Sequence, residues 1–132
     1  MTLCTQQLKR IVQLFNLLIA GAEKRKEIYG LRTSEISSAS SWAVFWSYKG
    51  VPKGLRKIRD HFVEAAGEKD WESAEAFDEW AAGWLNNYRF PKSFRLDYGC
   101  SISYLNSFMT RFAKSIEEKG IAGLNEQNIP RI

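Results

Sequence analysis

The chain has little of what metal and redox sites are built from: 132 residues include one histidine, two cysteines and three prolines. Cys4 and Cys100 lie almost a chain length apart, and neither has a second cysteine or a histidine close by in sequence. That spacing reads as neither a zinc site nor a disulfide framework. Reduced thiols in a cytoplasmic protein are the simplest expectation. There is no Gly-x-Ser-x-Gly elbow and no Gly-x-x-x-x-Gly-Lys loop; "KGVPKGLRK" (49–57) carries its glycines at another spacing. No catalytic residue, metal or cofactor is assigned. Long apolar runs are missing too. The most apolar stretch, "IVQLFNLLIA" (11–20), is broken by Gln13 and Asn16 and is too short and polar to span a bilayer. With Lys9 and Arg10 before it and "AGA" (20–22) closing it, the stretch imitates a secretory signal. The two amides argue instead for an amphipathic helix kept in a soluble protein without a membrane partner.

What is present is helical period and aromatic bulk. A chain of this length is expected to form a single domain over 1–132, large enough to bury a core unaided. Five Trp, eight Phe and five Tyr imply an aromatic-rich core. Leu8, Ile11, Val12, Phe15, Leu18, Ile19 and Ala22 recur at three- and four-residue steps. They predict one long helix, with Thr5 as N-cap, running through "EKRKE" and stopping near Gly30. The serine-rich 31–41 has no clear form, and a short aromatic helix follows with Trp42, Phe45 and Trp46. A helix-turn-helix over 31–48 is disfavoured: its turn lacks glycine and its reading helix would be aromatic rather than polar.

Pro52 suits the first turn of a further helix, with Leu55, Ile58, Phe62, Ala65 and Ala66 on one face and Gly67 at its end. Asp70 is the expected cap of the next, whose buried face is Ala74, Phe77, Ala81, Trp84, Leu85 and Tyr88. Asp78 falls beside that face, as a half-buried carboxylate paired with an arginine. After an aromatic connector from Arg89 to Gly99, the last helix buries Ile102, Leu105, Met109, Phe112 and Ile116 and stops at Gly120; a polar tail, 121–132, ends the chain. No segment alternates apolar and polar residues for long. The expected fold is all-α, a compact bundle of about five helices with short loops.

The formal charge of +4 hides a segregation. Residues 60–79 hold eight acids and one base, Lys69, so the rest of the chain is strongly basic. Lys49, Lys53, Arg56, Lys57 and Arg59 form an acid-free cluster; Arg89, Lys92 and Arg95 form a second, interleaved with Phe90 and Phe94. Lys24, Arg25 and Lys26 make a third, diluted by Glu23 and Glu27. Cations in such clusters displace condensed counterions from phosphates and so give salt-sensitive affinity independent of base sequence. Aromatic neighbours, here Trp46, Tyr48, Phe90 and Phe94, can stack on unpaired bases.

Two classes of function follow. One is sequence-independent binding of a nucleic-acid backbone by the eight cations of the first two clusters, within a larger nucleoprotein assembly. The other is an adaptor or inhibitor whose basic face meets an acidic protein, or another copy's acidic 60–79 run. A third reading rests on Arg56 and His61. Their Arg-x4-His spacing on a predicted helix is similar to the ribonuclease motif of the HEPN helical domains. That resemblance covers two residues and implies RNA cleavage by the pair; Lys57 stands where the motif more often has a small polar side chain.

Overall fold

A computed structural model describes the backbone of residues 3–35, 49–91 and 99–132, and the side chains of 6–28, 49–91 and 101–132. It contains α1 (Leu3–Glu35), α2 (Val51–Gly67), α3 (Ala74–Asn87), α4 (Gly99–Lys119) and a final 3-10 turn, Ile121–Gly123. No strand occurs among the described residues. The all-α expectation stands, with four α-helices among the described residues rather than about five; the aromatic segment 42–46 lies outside them. No described helix is long and apolar enough to cross a membrane.

The three-to-four-residue spacing turns into a core as elementary helix geometry requires. On α1, Ile11, Leu14, Phe15, Leu18, Ile19 and Ala22 are buried, so the apolar stretch is a structural wall of the bundle. The helix passes Gly30 and ends five residues later, since one glycine in a long helix is a tolerable cost. Thr5 lies inside α1 rather than at its cap. α1 packs chiefly on α2, and α3 on α4, while contacts between α2 and α4 and between α1 and α3 close the bundle. Phe15, Phe62, Phe77, Phe108 and Phe112 are fully buried at its centre, with ring centroids 5.5 Å apart for Phe15–Phe112 and 6.1 Å for Phe62–Phe77. Each contributes roughly 1.5–3 kcal/mol of burial.

Two expected features are corrected. Ser73, not Asp70, caps α3: its Oγ accepts from Ala76 N–H at 3.1 Å. The cause is Trp71, whose ring packs on Phe77 and Trp80 (5.1 and 4.7 Å) and whose indole N–H reaches the Ala66 carbonyl, fixing the turn ahead of the helix. The segment 121–132 is no loose polar tail. Ile121, Leu124 and Ile132 are buried in the core, Arg10 of α1 donates to the Leu124 carbonyl, and Asn125 and Asn128 brace the turn between them.

Asp78 is the junction of this architecture. Its carboxylate accepts from Gln7 Nε2 at 2.8 Å and from Ile121 N–H, tying α1, α3 and the final turn together, with no arginine among its partners in the described residues. Burial raises its pKa above the ordinary carboxylate value, against the lowering effect of those two donors. Gly120, at φ 72°, makes the close approach possible: a Cβ there would sit 3.0 Å from Asp78 Oδ2.

Candidate functional site

The first basic cluster lies on α2, whose core stripe is Val51, Leu55, Ile58, Phe62 and Ala66. Opposite that stripe, helical geometry puts Lys53, Arg56 and Lys57 on the outer face, and Lys49 just ahead of the helix continues it. Arg59 sits on the flank toward α1, between Asp60 Oδ1 at 3.1 Å and Asn16 Oδ1 at 2.9 Å. Arg56 pairs with Glu23 of α1, both side chains about half exposed. These two contacts to α1 run in opposite chain order, so α1 and α2 are antiparallel. At such exposure the Arg56 pair contributes about 0–1 kcal/mol and leaves the guanidinium open to exchange.

The acids divide. Glu75, Asp78 and Glu79 line a cavity of about 360 Å³ with Ile116, Glu117 and Gly120, on the α4 side of α3. Asp60 and Glu64, by contrast, share the outer face of α2 with the cations, because the same period that gathers Lys53 and Lys57 continues into them. The face is therefore cationic along its N-terminal half and anionic along its C-terminal half. That order opposes the helix dipole. The first turn holds no acid, the last turn no base, and the Gly50 cap makes no side-chain hydrogen bond.

Of the second cluster, Arg89 is described and exposed; its Nη1 donates to the Tyr88 carbonyl at 2.7 Å. Lys92 and Arg95 lie outside the described residues, as do Trp46, Tyr48 and Phe94, while Phe90 is half-buried. Lys53, Lys57 and His61 follow one another at four-residue steps and form one ridge along α2. His61 closes it, its Nδ1 2.7 Å from the Tyr88 hydroxyl. Burial pushes the Tyr88 phenol up to about 12, so it stays protonated across the working range. Arg56 and His61 are thus turned to different partners, one on α1 and the other, Tyr88, just past the end of α3.

Where the ridge meets the end of α3, an open groove of about 470 Å³ is lined by His61, Trp80, Gly83, Trp84, Asn87, Tyr88 and Arg89. Trp80, Gly83, Trp84 and Asn87 stand at i, i+3, i+4 and i+7 and make one side of it. A row of rings, Trp71, Trp80, Trp84, Tyr88 and Phe90, runs past with centroids 4.7–6.3 Å apart. Sequence reasoning placed Trp84 in the core; it is half-buried. Gly83, a mid-helix glycine among aromatic residues, is a sequence feature of the groove that helical period did not single out.

Together these features define a small aromatic-cored helical domain with a cationic helix face running into an aromatic groove. No family model, no curated protein and no solved structure matches the chain.

Proposed function

We propose that this chain is a non-enzymatic helical module of the cytoplasm that binds nucleic-acid backbone through the basic half of α2, within a larger nucleoprotein assembly. The observation that supports it is the order of charge along α2. Lys53 stands in the first turn, where the backbone's own field is positive, with Arg56 and Lys57 in the next turn, and Glu64 and Glu68 stand at the other end. A reversed charge in a terminal turn costs about 0.3–1 kcal/mol of helix stability. An arrangement unfavourable for folding is accounted for by an anionic ligand, whose phosphates meet side-chain cations and the positive helix end together. Arg89 extends the track beside His61; Lys49 leads into it, and Arg59 flanks it.

A second reading rests on Asp60 and Glu64. With the cations, they make a dipolar stripe that complements an acidic protein or a second copy of itself, as an adaptor or inhibitor would. A ribonuclease using Arg56 and His61 needs both side chains at one phosphate, and their separate partners do not favour it.

The test is the triple variant Lys53→Glu, Arg56→Glu, Lys57→Glu. It loses binding to single-stranded and duplex probes at low salt, while its melting temperature stays level or rises because the new acids suit the helix start. Retention of both probes by the folded variant rejects the assignment. Absence of binding in the parent protein, with co-purification of an acidic partner, selects the adaptor.

A further inference from the structure

We infer that the groove between His61 and the Trp80–Trp84 side of α3 takes one unpaired nucleobase of a single strand whose phosphates lie on Lys53, Lys57 and Arg89. This rests on the nucleic-acid reading above and adds the class of strand and the place of its base.

Three independent features carry it. The first is a rigid platform. Trp84 packs roughly perpendicular to Phe62 (5.3 Å, 85°) and against Tyr88 (5.0 Å, 41°), and its half-buried ring lines the groove. A fixed indole face stacks on any base with little loss of side-chain freedom. The second is Gly83. It sits inside α3, where glycine is worse than alanine for the helix, and a Cβ there would meet no atom within 4 Å. Packing therefore does not require glycine at this position. Its effect is to leave the groove floor at backbone level, so that a planar ring can lie between Trp80 and Asn87. The third is polarity. Asn87 offers an amide donor and acceptor, and His61, its Nδ1 engaged by the Tyr88 hydroxyl, offers its other ring nitrogen.

Charge sets the orientation. Arg89 and the Lys57–His61 ridge border the end of the groove near Tyr88, whereas Glu75 and Glu79 lie on the opposite flank of α3. Lys69, whose Nζ lies 5.5 Å from the Trp80 ring centroid, borders the other end; a phosphodiester chain entering along α2 would reach the groove from the Arg89 end, with the base turned inward. Bases inside a duplex are already stacked and cannot make that turn, which selects a single strand.

The experiment uses the full chain and three short fluorescein-labelled probes at low salt: a single strand, its duplex, and a single strand with abasic sites in place of its bases. Fluorescence anisotropy is expected to show the base-bearing strand bound roughly tenfold more tightly than the abasic one. Trp84→Ala and Gly83→Leu each abolish that difference while leaving abasic binding intact. Gly83→Leu keeps the test sound should Trp84→Ala unfold, because a Cβ at this position meets no atom within 4 Å. Equal affinity of the parent protein for base-bearing and abasic strands overturns the groove and leaves the cationic track standing. Persistence of the difference in folded Gly83→Leu also overturns it. Failure of the parent protein to bind any probe removes the nucleic-acid reading itself.

Discussion

Replacing Gly83 by alanine should make the protein more stable. The position lies well inside α3, and the added methyl meets nothing within 4 Å, so no clash opposes the change. What remains is the intrinsic preference, about 0.5–1 kcal/mol in favour of alanine within a helix, arising chiefly from the greater freedom glycine loses on folding. For a domain of this length, with an unfolding entropy near 2 cal/mol/K per residue, this corresponds to a rise of about 3 °C in Tm. Thermal melts followed by circular dichroism, with urea titrations at one temperature, measure both quantities. The ligand side moves the opposite way. A methyl on the groove floor lifts a stacked ring off the helix backbone, so affinity for a base-bearing strand should fall as stability climbs. A variant less stable than the parent would refute the reasoning: glycine would then be present for packing, and the argument that the floor is kept open would fail.

Two further substitutions probe the charged and polar joints. Asp78→Asn places an amide where two donors converge and should cost about 1–2 kcal/mol at neutral pH. Because the folded carboxyl titrates above its ordinary 3.8, its protonated form is favoured by folding. The parent's stability relative to the variant is therefore highest below pH 3.8 and declines as pH rises through the raised value; urea titrations across that range showing the opposite slope would contradict the assignment. Tyr88→Phe removes the hydrogen bond to His61, worth about 1 kcal/mol. The parent phenol titrates at about 12 when folded against 10.0 ordinarily. Stability present below pH 10 is thus lost up to pH 12, and the difference between parent and variant in urea titrations over that window checks it; a difference that stays constant there would contradict it.

Much of the scaffold was legible because helical period is a local signal. Ile11, Phe15 and Leu18, or Leu55, Ile58 and Phe62, disclose a buried face from their spacing alone. The features that escaped depend on contacts between residues far apart in sequence. Asp78 finds Gln7, 71 positions away, and nothing near either residue announces the pair. Ile121, Leu124 and Ile132 follow no period, so only the folded chain shows that they close the core. Asp70 has the chemistry of a cap, yet Trp71 anchors the turn so that Ser73 takes the role.

The candidate site was readable in part. The cations of α2 stand out as an acid-free run, whereas their sharing of a face with Asp60 and Glu64 shows only in the folded helix. The groove was hidden by a property that spacing does not encode. Trp80 and Trp84 stand on the flank of the buried stripe, and only the position of α2 decides how much of each ring stays open to solvent.

The most direct measurement is the salt dependence of binding by the parent protein. Affinity for a short single strand, taken from about 50 to 200 mM salt, should fall with a log–log slope of roughly −2 to −3, as three or four cations each release a condensed counterion at about 0.7 per phosphate. The Lys53, Arg56 and Lys57 triple Glu variant should lose binding across that range. Binding that ignores salt, or no binding at the lower concentration, would contradict the claim that this helix face is a phosphate track.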